Sequence, residues 1–354
     1  MINFYRVLGL MSGTSLDGMD IAQCTFELED GKWKYAIERA VTYPYSPEWK
    51  DRLSQAENLS GLDLMLLHND FGSLSASFVN RFMEDCLVPV DFIASHGQTI
   101  FHQPHLGFTL QIGNGANIAA QTGITTVCDF RSLDVAFGGQ GAPLVPIGDK
   151  LLFSEYDYCL NLGGFANVSY DTDSGQREAF DICPVNIVIN HLVKERNLSY
   201  DPEGSLARNG VVCQPLLEEL NQLDFYRQAG PKSLGKEWVL AQLLPIIYKY
   251  NLSLEDALHT FYKHIVVQCQ NVIRGNRKNV LITGGGAHNQ YIMELFCQHF
   301  EVEICVPTCE IIDFKEALIF AFLGLKRYRN ENNCLNSVTG AKKDNCGGVI
   351  YLVE

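Results

Sequence analysis

The sequence predicts an α/β protein built from two related halves, and three observations lead there. The chain has 354 residues, 47% hydrophobic and 19% charged, which is enough to bury the cores of two lobes. Residues 1–150 open with short segments rich in aliphatic and aromatic side chains, separated by turn residues, and residues 151–354 open the same way. In both halves that meander continues into alternating helical and strand patterns, so the order β-β-β-α-β-α-β is written twice.

The first half starts with three strands, at 6–11 (RVLGLM), 20–28 (DIAQCTFEL) and 32–41 (KWKYAIERAV). Apolar residues three and four apart make 62–86 a helix, and VDFIASHG (90–97) returns to a strand. A short pair around FTLQIG (108–113), a helix at 114–122 and a strand at 124–130 follow. The second half carries a strand–turn–strand at 156–172 and a third strand at 175–181. Helices are expected near 185–197, 212–223, 237–250 and 254–275. A strand at 279–286, a helix at 289–300, a strand at 302–307 and a helix at 314–330 close the chain. No charge run or low-complexity linker separates the halves, and the boundary near residue 150 rests on the pattern.

A net charge of −14 argues against nucleic acid or an anionic membrane as partner, since either needs a basic face. Phosphates would have to be held locally, by backbone N–H groups and a metal ion. The twelve cysteines form no CxxC pair and sit mostly in apolar runs, as reduced core thiols do. The opening MINFYRVLGLMSG lacks the apolar stretch and cleavage site of a signal peptide, and the longest apolar run, ALIFAFLGL, is about half of what spans a bilayer. A cytoplasmic protein is expected.

Three turns carry the chemistry. GLMSGTSLDGMD (9–20) offers hydroxyls, free backbone N–H groups and the carboxylates of Asp17 and Asp20 directly after a strand. Glycines at 13 and 18 would let the backbone adopt positive φ and approach an anion, and the aspartates would order Mg²⁺ between themselves and a polyphosphate. A plain hairpin turn has the same composition. LNLGGFANVS (160–169) is its counterpart in the second half, and LITGGGAHNQ (281–290) runs a strand into three glycines where a base or ribose could lie flat against backbone.

Together with SHGQTIFHQP (95–104), TLQIGNGANIAAQTGITTVCDFRSLDVAFGGQGAPLVP (109–146), EALIFAFLG (316–324) and SVTGA (337–341), these motifs resemble, in order and from end to end, the anhydro-N-acetylmuramic acid kinases. The resemblance implies a two-lobed actin-like ATPase fold of the hexokinase and Hsp70 type, with duplicated ribonuclease H-like lobes and ATP in the interlobe cleft. It implies that Gly13, Thr14, Ser15, Leu16, Asp17, Gly18, Met19 and Asp20 form the first phosphate loop, with Asp17 and Asp20 on Mg²⁺. Gly163, Gly164 and Asn167 would form the second loop, and Gly284, Gly285, Gly286 and Asn289 the adenosine-side turn.

Its substrate would be 1,6-anhydro-N-acetylmuramic acid, opened by water and phosphorylated on O6, with Asp181 of EAFDICPVN as catalytic base. Asp181 closes an apolar strand ahead of Pro184, a position where ligands bind; capping of the following helix is the structural alternative. His96, Gln98, Thr99, Arg131, Asp134 and Glu316 would face the sugar, Arg131 through its lactyl carboxylate. Structural roles are open to several: a satisfied core histidine for His96, an ion pair of Arg131 with Asp134, a helix first turn for Glu316. Family members tend to be dimers, so a homodimer is expected. ICPVN stands where the family has TGPGN, which would add the side chains of Cys183 and Val185 where the family's backbone approaches ligand, and either set the loop further back or reshape the sugar pocket. A kinase of another amino sugar and a non-catalytic ATP-binding regulator are the competing expectations.

Overall fold

Alternating buried and exposed side chains send the opening residues into an antiparallel meander, β1 (Phe4–Ser12), β2 (Gly18–Glu29) and β3 (Lys32–Pro44). The structure, a computed structural model, describes residues 4–84, 88–228, 230–274 and 277–353. Ser46 starts α1 (Pro47–Ser54) by accepting the Trp49 N–H, with Pro47 preset for the first turn. Then come α2 (Gly61–Glu84), β4 (Phe92–Gln103), β5 (Phe108–Ile112), α3 (Gly115–Thr122), β6 (Thr126–Cys128), α4 (Ser132–Ala136) and α5 (Val145–Leu152).

The second meander is β7 (Tyr158–Leu162), β8 (Phe165–Asp171) and β9 (Arg177–Pro184). It is followed by α6 (Asn186–Leu192), α7 (Ser205–Arg208), α8 (Gln214–Asn221), α9 (Asp224–Arg227), α10 (Lys236–Trp238), α11 (Leu244–Lys249) and α12 (Leu254–Val272). The remaining elements are β10 (Asn279–Thr283), α13 (Gln290–His299), β11 (Glu303–Cys305), α14 (Cys309–Tyr328), α15 (Asn336–Thr339) and β12 (Val349–Tyr351).

Two sheets result. One runs β12-β6-β4-β1-β2-β3 with β5 on β4, the other β11-β10-β7-β8-β9. In each, the first meander strand is central, antiparallel to the second and parallel to the strand that follows the helices. The β-β-β-α-β-α-β unit is thus present twice, as the pattern predicts. Each sheet packs its helices over its own core, Leu8, Ile21, Phe71 and Ile93 in one and Leu160, Val168, Phe261 and Ile282 in the other.

The boundary differs from the expected division into 1–150 and 151–354. Met1–Leu152 group with Phe314–Glu354 in one unit, and Phe153–Asp313 form the other. The reason lies in α14, which starts five residues before the expected 314 and whose residues Ala317–Leu323 are all buried. A Cβ on Gly9 of β1 would sit 2.1 Å from the Ala317 carbonyl oxygen, and one on Gly324 would sit 2.4 Å from the Ala94 Cβ of β4. The helix thus lies directly against the first sheet, and β12 adds a strand to β6. The described cysteines are free thiols, and no described helix is long and apolar enough to cross a membrane.

Candidate active site

In the first unit, Ser12 ends β1 at the floor of the SGTSLDG turn. Its buried hydroxyl donates to Gln98 Oε1 at 2.5 Å and accepts from the Tyr45 phenol at 2.6 Å. Gln98 is therefore buried with its Oε1 engaged by the turn and its amide nitrogen 3.4 Å from the Thr99 carbonyl, where a sugar contact was expected. Above it, Thr14, Ser15 and Asp17 are exposed. A Cβ on Gly13 would meet only the Ser15 hydroxyl, at 3.8 Å, so the protein itself leaves that face of the backbone open.

The positive φ expected of Gly13 and Gly18 is found instead at Leu16, at 58°. Gly18 has a different reason to be glycine: a Cβ would lie 2.5 Å from the Tyr43 carbonyl oxygen across the β2–β3 ladder. Met19 points into the core and offers a ligand only its backbone. Asp20, half-buried on β2, accepts the Thr42 hydroxyl at 2.6 Å.

His96 and Arg131 form one device. Arg131 Nε and Nη2 donate to His96 Nε2 at 3.1 and 2.9 Å, and Nη1 donates to the Gly141 carbonyl at 2.7 Å. A guanidinium only donates, so His96 Nε2 is an acceptor and the imidazole proton sits on Nδ1, facing the Gly97 carbonyl at 2.9 Å. Desolvation first, then the Arg131 charge, push the His96 pKa down to about 3, which keeps it neutral. Burial lowers Arg131 to about 10, with Glu316 opposing. With both ring nitrogens engaged, His96 is the satisfied buried histidine of the structural reading, and it orients Arg131.

Asp134 makes no ion pair with Arg131. Fully buried, it accepts the Gly141 N–H, the Thr339 hydroxyl and the Asn345 amide, each at 2.8 Å. It ties the turn behind Arg131 to the SVTGA motif and does not face a sugar. Glu316, on α14, is open to solvent while its carboxyl is pushed up by desolvation, with Arg131 opposing and Asp20 adding. Thr99, half-buried on β4, accepts a 3.4 Å contact from the Gln111 amide.

In the second unit, Asp181 lies within β9. The helix after it is capped at Val185 with no side-chain bond, so the capping alternative for Asp181 falls away. Its Oδ2 accepts the Leu234 N–H at 2.8 Å, and among the described residues Oδ1 has no partner. Desolvation raises its pKa, the Leu234 bond opposing. Residues directly opposite in antiparallel strands share a face. Asn161 of β7, Asn167 of β8 and Asp181 of β9 pair in that way and make a polar row across three strands.

Sequence reasoning missed Asn161. Its amide makes no hydrogen bond to the described residues, and it fills the space between the glycine turns: a Cβ on Gly163 would lie 3.3 Å from its Nδ2 and one on Gly284 2.5 Å from its Oδ1. The register of the β7–β8 hairpin, two residues before the double glycine, was the signal that could have found it.

Cβ atoms on Gly164 and Gly285 would meet nothing closer than 3.9 Å, so both turns keep open backbone, as Gly13 does. Gly284 takes φ 81°, and Gly286 is required by the Leu162 side chain at 2.7 Å. Asn289 is committed elsewhere: it caps α13 through the Ile292 N–H and donates to the Tyr262 phenol at 2.7 Å. Cys183 and Val185 turn into the core with no exposed surface, so the two missing glycines put no side chain toward a ligand.

Comparison with known proteins identifies the family. The family described as anhydro-N-acetylmuramic acid kinase matches residues 5–353. An anhydro-N-acetylmuramic acid kinase of Acaryochloris marina is 34% identical over 98% of this chain and 100% of its own length. That of Vibrio cholerae is 34% identical over 98% of each, and that of Hydrogenovibrio crunogenus 33% over 97% of each. Among solved structures, the activator of 2-hydroxyisocaproyl-CoA dehydratase from Clostridium difficile is 13% identical, covering 92% of this chain and 96% of that one with a TM-score of 0.42. With its motifs in order from end to end and its duplicated unit in place, this chain belongs to the anhydro-N-acetylmuramic acid kinase family.

Proposed function

We propose that this protein is an ATP-dependent kinase of cell-wall recycling that opens 1,6-anhydro-N-acetylmuramic acid with water and phosphorylates O6. The observation that carries the reading is Asp181, a desolvated carboxylate with one oxygen fixed by Leu234 and the other open, in a chain matched to the family over 5–353.

In this mechanism the ionised Asp181 takes a proton from water through Oδ1 as the water oxygen bonds to C1. The C1–O6 bond breaks, and O6 takes the γ-phosphoryl group of ATP, leaving ADP and N-acetylmuramic acid 6-phosphate. Leu234 N–H holds the carboxylate still so that the open oxygen does the work. The backbone left open at Gly13, Gly164 and Gly285, with the Thr14 and Ser15 hydroxyls, suits nucleotide oxygens and ring faces. Asn161 and Asn167 extend neutral donors toward the same chemistry without repelling phosphate.

Asp17 and Asp20 would hold Mg²⁺, which when bound neutralises phosphate charge; that ion typically asks for only one or two carboxylates beside water and phosphate. Arg131, aimed by His96, and Glu316 would meet the sugar. The free thiols accord with the reducing cytoplasm, and family likeness suggests a homodimer.

Purified protein with ATP, Mg²⁺ and the anhydro sugar should yield ADP and the 6-phosphorylated product, while the non-anhydro sugar separates ring opening from simple phosphorylation. No product from the wild-type protein would overturn the reading.

A further inference from the structure

The stretch KSLGKEW (232–238) belongs to none of the motifs that point to a ligand, yet its first residues run along β9. β9 is the outer strand of its sheet, and the Asp181 N–H finds its partner outside that sheet, in the Lys232 carbonyl at 2.9 Å. Two residues on, the Leu234 N–H donates to Asp181 Oδ2 at 2.8 Å. Three consecutive residues thus grip both the backbone and the side chain of Asp181.

Two hydrogen bonds offset less than the conformational entropy of ordering three residues, so the stretch needs a further anchor. The Lys232 side chain supplies it. Its ammonium donates to the Phe225 and Gln228 carbonyls at 2.9 and 3.1 Å, at the C-terminal end of α9, and lies 4.4 Å from the centre of the Phe225 ring. Phe225 is itself buried against the rings of Tyr226 and Trp238, so the anchor reaches fixed structure.

We infer that Lys232 is a positioning residue of the reaction: by fastening 232–234 to the end of α9, it keeps the Leu234 N–H on Asp181 Oδ2 and leaves Oδ1 for the water. The inference rests on Asp181 as the base, assigned in the preceding subsection. Cys183, which senses Asp181, Lys232 and Cys269, and the Tyr226 phenol are both pushed up by burial and stay neutral on the acid side.

The test compares Lys232→Met, which nearly keeps the length and removes every donor, with Lys232→Arg, which keeps donors for both carbonyls. Lys232→Met should lower kcat about tenfold, the scale of one lost hydrogen bond, with KM for ATP within about twofold. The Leu234 bond lowers the Asp181 carboxyl against desolvation, so its loss should move the acid limb of the kcat–pH profile up by about one unit. Lys232→Arg should restore the wild-type limb. A merely structural lysine would lower the melting temperature and leave the limb in place.

Amide exchange reads the grip without turnover and separates it from the loss of a charge. In Lys232→Met the N–H groups of Asp181 and Leu234 should exchange at least about tenfold faster, while those of Val168 and Tyr170 in β8 keep their rates. Should Lys232→Met not fold, Lys232→Gln, which keeps a donor for one carbonyl, should give smaller changes in the same direction. An unmoved limb, unchanged exchange at 181 and 234, or equal losses in Lys232→Arg would overturn the positioning role while leaving the kinase intact. A wild type without turnover would overturn the kinase reading instead, and the exchange rates would still decide whether Lys232 holds Asp181.

Discussion

Asp181 shows how one residue trades stability for chemistry. Its pKa is raised in the folded protein, so its favourable contribution to folding is full below the unfolded carboxyl pKa and is lost as pH rises through the folded value. At neutral pH the ionised form costs stability. Asp181→Asn keeps an acceptor for Leu234 N–H and should raise the melting temperature at pH 7 while lowering kcat at least about 100-fold. A melting curve and a rate assay check both, and a fall in melting temperature would contradict the desolvation. The same shift predicts that the acid limb of the kcat–pH profile lies above the usual carboxylate range. Structural roles were legible where the pattern is strong, as with the strand that carries Asp181. They were illegible for Gln98, Asp134 and Asn289, because a polar side chain in a ligand motif looks the same whether it faces the ligand or holds the backbone that does.

At the scale of elements, the meanders, the long helices α2 and α12 and the three glycine turns could all be read from periodicity and turn chemistry. The short helices α4 and α5 could not, since five to eight residues give too little period to detect. Nor could the partner of α14: an apolar run states that a helix is buried but not against which sheet. The close approach of β1 to this helix makes a sharp prediction. Gly9→Ala should destabilise the protein by about 1–3 kcal/mol, because the obstructing atom is the Ala317 carbonyl, which has no rotamer to escape into. Denaturant titration measures it, and an unchanged midpoint would mean that β1 and α14 do not touch as described.

For the molecule as a whole, acid is the revealing perturbation. Besides His96, His264 is fully buried between Asn221 and the Tyr226 phenol, and burial lowers its pKa to about 3 as well. A depressed histidine pKa contributes stability above pH 6.5 that is lost as pH falls from there toward 3, at about 1.4 kcal/mol per pH unit for each group. Asp181, raised by burial, runs the other way. Replacing His264 with Gln should therefore flatten the loss of unfolding free energy between pH 6.5 and 5 by about 2 kcal/mol, read from denaturation curves at the two values. An identical slope in variant and wild type would mean that His264 takes up a proton without unfolding.

The first unit is assembled from the two ends of the chain, with Phe153–Asp313 inserted between them. On the ribosome, β1 and β4 emerge early but wait for α14 until nearly the whole polypeptide has been made. The inserted unit, continuous in sequence, can finish first. Protection of the early strands during that wait, by a chaperone or by slow release, then becomes part of what the cell must supply to obtain active enzyme.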